Sequence, residues 1–207
     1  MALITDYTTL SDAVAGYLNR SDLTAYVPNY IRDAELLIYN DARHRGVETE
    51  FTANTSSGVL ALSGLSNFRE FKWIRTSASG GQLLDPLSIS DMYRMYPERS
   101  EQTQFPRYYA RDGANIIFGP AGQGTIALDG VYYALLPPLS ASNTTNWYTA
   151  NAPSMLLFGA LLQAQPFLIG DPRIPVWAAF FKEAREAVQE TARRENKTGT
   201  PRAVKVQ

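Results

Sequence analysis

Few residues in this 207-residue chain are equipped for chemistry. His44 is the one histidine, so any histidine relay must use it and a multi-histidine metal site is impossible. It stands between Arg43 and Arg45 at an expected helix end. Two guanidinium neighbours disfavour an imidazolium there, which points to a surface or capping role rather than acid–base work. Glu48 and Glu50 alternate with Val47, Thr49 and Phe51. In a strand they share one face roughly 7 Å apart, a separation that glycosidase carboxylates use. A solvent-facing strand carries the same pattern, and that is the reading adopted; Glu70 and Asp91 show no evident partner. Gly119-Pro120-Ala121-Gly122-Gln123-Gly124 is the one glycine-rich loop. A phosphate cradle needs a following Lys-Ser/Thr and a helix. Thr125-Ile126-Ala127-Leu128 follows instead and reads as strand, so a hairpin connection is expected.

The chain has no cysteine, which excludes disulfides, thiol nucleophiles and cysteine-ligated zinc. No stretch has the alternating acidic spacing of a calcium loop. Trp73, Trp147 and Trp177, with Tyr108-Tyr109 and Tyr132-Tyr133, could form a sugar platform, but core or subunit-contact roles explain most of them better. The expectation is therefore a non-enzyme with no catalytic, cofactor-binding or metal residues.

The elements that would position these groups run helix, strand, helix. Thr8 or Thr9 can cap a first helix reaching about Asn19, with Leu10, Ala13, Val14, Tyr17 and Leu18 at helical spacing. Ser21 to Tyr26 reads as a turn. Pro28 suits the first turn of a second helix, whose apolar stripe is Val27, Tyr30, Ile31, Ala34, Leu37 and Ile38; Arg43 to Arg45 form its last turn and Gly46 ends it. Strands are expected from Val47, over Val59 to Leu62, and over Phe68 to Thr76. Ser79-Gly80-Gly81 reads as a turn into Leu83 and Leu84. Ser88 or Ser90 can cap a short helix ending at Tyr96-Pro97, and Glu98 to Gln104 reads as an exposed loop. Asp112-Gly113 is a strong hairpin signal between Tyr108-Arg111 and Asn115-Phe118, and Thr125 to Ala134 makes a further strand.

Ser140 to Tyr148 reads as a polar loop after Pro137-Pro138. No charge occurs from Tyr148 to Gly170, yet the apolar heart between Pro153 and Pro166 is too short to span a bilayer, so a helix buried on all sides is expected. Asp171-Pro172 reads as the N-cap and first-turn proline of a last helix running to about Arg194. Its expected apolar face is Trp177, Phe180, Phe181, Ala184 and Val188. The fold class is α+β: a helical bundle from residues 1–46 and 150–195, a small antiparallel β insert over 47–136 (barrel-like or sandwich-like), a connecting loop over 137–149, and a flexible tail over 196–207.

Composition narrows the partners. Charged residues are 19% of the chain, below the roughly 25% of average domains, while it carries 12 Tyr, 9 Phe and 3 Trp. Few charges and many tyrosines match protein contact surfaces. The net charge of −1 argues against a dedicated grip on duplex nucleic acid, which needs a basic footprint. Met1 to Asp6 lacks the basic and apolar regions of a secretory signal.

The ordered motifs resemble a family. Leu10-Ser11-Asp12-Ala13-Val14-Ala15-Gly16-Tyr17-Leu18-Asn19-Arg20-Ser21-Asp22-Leu23, followed by Val27-Pro28-Asn29-Tyr30-Ile31 and Ala34-Glu35, looks like the start of head-to-tail adaptor proteins of short-tailed phages. Pro106-Arg107-Tyr108-Tyr109 and Phe118-Gly119-Pro120-Ala121 resemble the family's central strands. Tyr132-Tyr133-Ala134-Leu135-Leu136-Pro137-Pro138-Leu139-Ser140 with Thr145-Asn146-Trp147 is the most specific stretch; Ala152-Pro153, Phe158-Gly159-Ala160-Leu161-Leu162 and Asp171-Pro172-Arg173 with Trp177 complete the pattern. The resemblance implies a virion protein assembled in the host cytoplasm into a ring, a dodecamer, at the head–tail junction. Its partners would be the portal protein, a tail nozzle or tail tube protein and its own copies; genomic DNA would pass through during ejection, with no membrane and no cofactor. In such proteins the C-terminal tail often clamps the portal, here Lys197, Pro201, Arg202, Val204, Lys205, Val206 and Gln207. A carbohydrate-binding or tail-accessory module is the alternative, and a small hydrolase using Glu48 and Glu50 a third.

Overall fold

The computed structural model describes residues 3–41, 43–77, 81–122 and 124–196. In chain order it forms α1 (Tyr7–Leu18), α2 (Val27–Asp41), β1 (Glu48–Asn54), β2 (Val59–Ala61), β3 (Phe68–Thr76), β4 (Asp85–Pro86), α3 (Ile89–Met95), β5 (Tyr108–Asp112), β6 (Asn115–Gly119), β7 (Ala127–Ala134), α4 (Trp147–Asn151), α5 (Pro153–Gln163) and α6 (Ile174–Asn196). The chain divides into two compact units, residues 1–47 with 136–207, and residues 48–135. The fold is α+β, helices in the first unit and mainly antiparallel sheets in the second.

In the first unit α5 is the centre. Met155 to Leu161 are all buried, because α2, α6 and α1 each pack against it. An apolar side chain buried this fully stabilises by about 2 kcal/mol. Gly159 permits the approach: a Cβ there would stand 3.2 Å from both the Ala34 Cβ and the Phe181 ring. Among the described residues no helix is long and apolar enough to cross a membrane.

The helix ends differ from the sequence reading in instructive ways. α1 is capped by Asp6, not Thr8 or Thr9; the Asp6 carboxylate accepts from the Thr9 N–H while the Thr9 hydroxyl oxygen accepts from the Asp6 N–H. This reciprocal pair satisfies two amides at once, which a lone threonine cannot. Ser21–Tyr26 is a 3₁₀ helix rather than a simple turn. α2 stops at Asp41, before Arg43 to Arg45, and a 3₁₀ turn, Arg45–Val47, follows. α6 begins at Ile174, past Asp171-Pro172, so Pro175 occupies its first turn. Arg173 just before it donates to the Tyr17 and Leu18 carbonyls at 2.8 and 3.5 Å, closing the C-terminus of α1.

The second unit is a sandwich. One sheet has the order β1-β7-β3 and the other β2-β6-β5-β4. Pairings are antiparallel except the short β4–β5 pair, which is parallel. Leu60, Ile74, Ile116, Phe118, Leu128 and Tyr132 form the core with members from both sheets. α3, capped by Ser88, packs Met92 onto Ala110 and Ile117 behind β5 and β6. Gly113, at φ 58°, makes the β5–β6 turn. The loop after Gly119 is not a hairpin: it carries the chain from β6 in one sheet to β7 in the other. Adjacent strands in sequence need not pair, and the local pattern could not separate the two cases.

Candidate functional site

His44 is buried rather than surface-exposed, at 3% exposure. The turn after α2 swings it inward, and the region read as a polar loop supplies its cover. There Asn146 caps α4 through both the Tyr148 and Thr149 amides, which orients Trp147 and Tyr148. The Gly46 N–H donates to Nδ1 at 3.1 Å, so Nδ1 carries a lone pair and Nε2 carries the proton, which is donated to the Tyr148 hydroxyl at 2.9 Å. The Trp147 ring lies against the imidazole, centroids 4.0 Å apart. A Cβ on Gly46 would overlap that indole. With both nitrogens engaged, His44 acts as a packing and hydrogen-bonding keystone.

Glu48 is half-buried and accepts from Lys72 Nζ at 2.7 Å, while Glu50 is exposed. A carboxylate tied to a lysine and one open to water do not make an acid–base pair. Asp91 has partners the sequence did not reveal: it accepts from the Ser88 hydroxyl and pairs with Arg94 at 3.2 Å. In the glycine-rich loop the Ala121 and Gly122 amides donate to the Arg99 and Gln102 carbonyls, both at 3.1 Å. Amides already committed to carbonyls cannot cradle phosphate. Trp177 and Tyr132 are buried, Trp147 covers His44, and Trp73 is the most exposed tryptophan, at 37%. Among the described residues no group of three or more His, Asp and Glu could hold a metal. The tail residues Lys197, Pro201, Arg202, Val204, Lys205, Val206 and Gln207, like Ser79 and Gly80, lie outside the described residues.

One buried carboxylate escaped the sequence reading. Glu35 is fully buried in α2. Its Oε1 accepts from the Tyr39 hydroxyl at 3.1 Å, the Leu139 N–H at 3.0 Å and the Asn146 amide at 3.4 Å; Arg32 approaches Oε2 at 3.5 Å. It therefore clasps the segment after the β unit onto α2. Burial raises its carboxyl above the usual range, against the pull of the Leu139 amide, Tyr39 and Arg32. Burial and the Glu35 charge push the Tyr39 hydroxyl upward in turn, so it stays a donor. The signal was present: Glu35 stands four residues after Ile31 and three before Ile38, on the apolar stripe.

What the surface offers is apolar area. Ile169 is 96% exposed, and Leu83 and Phe105 are exposed in the second unit. Leu37 and Phe180, expected in helix cores, are also exposed. Phe180 lines a groove of about 610 Å³ with Tyr17, Phe158, Val176 and Trp177. Tyr26 and Phe167 stack in the open, centroids 5.8 Å apart. The family model for the SU10 adaptor protein matches residues 5–205. No curated protein matches the chain.

Proposed function

The chain belongs to the SU10 adaptor protein family, phage adaptors of the virion, and from that premise we propose that it works as one copy of a ring joining the portal vertex to the tail. The family match over nearly the whole described chain is the observation that carries this reading. The ring, a dodecamer, binds the portal protein on one side and a tail nozzle or tail tube protein on the other. The genome passes through it during ejection. Assembly takes place in the host cytoplasm and the ring ends at the head–tail junction.

The surface supports this reading. A closed ring joins copies head to tail, so each subunit needs two different contact faces. Phe180 and Ile169 in one unit, and Leu83 and Phe105 in the other, are exposed and offer apolar area to such faces. A net charge of −1 suits a channel that lets DNA slide rather than gripping it. The protein's chemistry is then contact, not catalysis.

The direct test is negative-stain microscopy of the protein mixed with the portal ring of the same phage. A symmetric collar added to one end of the portal is the expected result. Free monomers beside bare portals, across salt and concentration, would sink the reading and favour a sugar-binding module. The C-terminal tail is proposed as the portal clamp. Ending the chain after Asn196 is expected to weaken portal binding by about tenfold or more with an unchanged melting temperature. That cut keeps the Arg45 guanidinium bonded to the Glu195 carbonyl at 2.9 Å, so the end of α6 stays anchored. Undiminished portal binding by the truncated chain would remove the tail's role.

A further inference from the structure

A strand at the edge of a sheet carries a row of N–H and C=O groups that no neighbour takes up. Proteins blunt such edges by keeping them short, covering them or placing proline in them. Three of the four edges in the second unit are blunted in these ways. β2 has three residues, and β4 has two, one of them Pro86. β3 is bordered by the segment that follows it: the Leu84 N–H donates to the Ile74 carbonyl at 3.0 Å and the Thr76 N–H to the Gln82 carbonyl at 3.2 Å. β1 is the exception. It runs for seven residues, Glu48–Asn54, with no proline and no register shift, and among the described residues it pairs with β7 alone.

The register fixes which of its groups are open. The Thr55 N–H donates to the Ile126 carbonyl at 2.9 Å, which continues the β1–β7 ladder by one pair. Hydrogen bonding alternates along an antiparallel strand, so Thr49, Phe51 and Ala53 give their main-chain groups to β7, and Glu50 and Thr52 turn theirs to the free edge. The other side of β7 agrees. Gly130 lies opposite both Phe51 and Ile74, and the Ile74 carbonyl points away from β7, to Leu84. Glu50, Thr52 and Asn54 are exposed.

The side chains define what fits there. Phe51 and Ala53 are part-buried against the sandwich core, so Glu50 and Thr52 stand on the outer face. β1 holds two glutamates and no Lys or Arg. Lys72 holds Glu48 at 2.7 Å, whereas the Glu50 carboxylate has no partner among the described residues. Glu50 borders a hollow of about 390 Å³ together with Trp73 and Asp129, which leaves room for a long side chain.

We infer that β1 is the docking edge for an extended segment of a partner protein, which joins the sheet as a further strand with apolar side chains beside Phe51 and Ala53 and a Lys or Arg against Glu50. Main-chain bonds to Glu50 and Thr52 hold the segment, and its alternate side chains give selectivity. A second β1 is the wrong occupant, because it brings another Glu48 and Glu50 onto the same face as this pair. The edge is open whether or not the chain forms a ring, so this docking stands or falls apart from the adaptor reading.

The probe is a short synthetic peptide of alternating Val and Lys, added to the full chain and followed by fluorescence anisotropy and amide hydrogen exchange. In the free chain the Glu50 and Thr52 amides should exchange faster than those of Phe51 and Ala53, and the peptide should slow them. N-methylation of one alternate set of peptide residues should lower affinity by about tenfold or more, and methylation of the other set should not. A peptide with Glu in place of Lys should bind the parent more weakly, and Glu50→Lys should reverse that preference. Thr52→Pro removes an edge N–H without touching the β7 ladder, so binding should fall while circular dichroism stays the same. No binding at millimolar peptide would overturn the inference. So would equal effects of the two methylation patterns, or a bound state in which the Glu50 and Thr52 amides exchange as before.

Discussion

Replacing Glu35 with alanine is expected to lower the unfolding free energy by about 3 kcal/mol, among the larger losses a single substitution causes. The side chain is fully buried, and its Oε1 accepts from Tyr39, Leu139 and Asn146. Removing the acceptor takes the carboxylate from the buried Leu139 N–H and one bond each from Tyr39 and Asn146, which keep their bond to each other, and the desolvation cost of the stranded amide is larger than the net worth of its bond. Glu35→Gln keeps an acceptor oxygen and removes the charge, so a cost of about 1 kcal/mol is expected. Urea denaturation of the three proteins measures both.

The pH dependence separates charge from hydrogen bonding. Burial raises the carboxyl of Glu35 in the folded state. The folded protein then holds this proton more tightly than the unfolded chain, so the stabilising contribution of the protonated form is complete below the ordinary carboxylate range. It is lost as pH rises through the raised folded value, because the ionised group is the one that burial penalises. Wild-type stability should show this decline and Glu35→Gln should not. Parallel curves would mean that Glu35 is ionised in the fold as readily as in the unfolded chain.

Gly130→Ala is expected to destabilise the β unit by about 3 kcal/mol, through backbone contact rather than lost burial. Gly130 lies in β7, the middle strand of its sheet, opposite Phe51 of β1 and Ile74 of β3. A register shift in β3 between Phe71 and Trp73 brings the Trp73 carbonyl close. A Cβ on Gly130 would stand 2.5 Å from that oxygen, 2.9 Å from the Phe51 ring and 3.0 Å from the Ile74 Cα. Two of the three neighbours are backbone, so neither can rotate away. Gly16→Ala, inside α1 with nothing near its Cβ, should have the opposite sign and stabilise by about 0.5–1 kcal/mol, since alanine restricts the unfolded chain and favours helix. Denaturant midpoints for the two variants test both expectations, and similar shifts for both would refute the steric account.

Much of the secondary structure was legible in the sequence because it is decided over a few residues. Strand β3 runs over Phe68–Thr76, where the pattern placed it; Asp112-Gly113 turns between β5 and β6; Ser88 caps α3; and Pro153 opens the buried α5. Dihedral preference, capping and hydrophobic period act at that range. The α+β class follows from their order.

What the tertiary structure decided is which side of each element meets another segment. His44 is covered by Trp147 and Tyr148, more than a hundred positions away. Glu35 finds Leu139 and Asn146 at similar separations. Phe180 and Leu37 fit an apolar stripe as well as any core residue, yet nothing among the described residues covers them fully. The chain between β6 and β7 changes sheet where local rules suggest a hairpin. Amphipathic period tells that a residue will seek cover; it carries no information about whether a distant segment of the same chain, or another molecule, provides it.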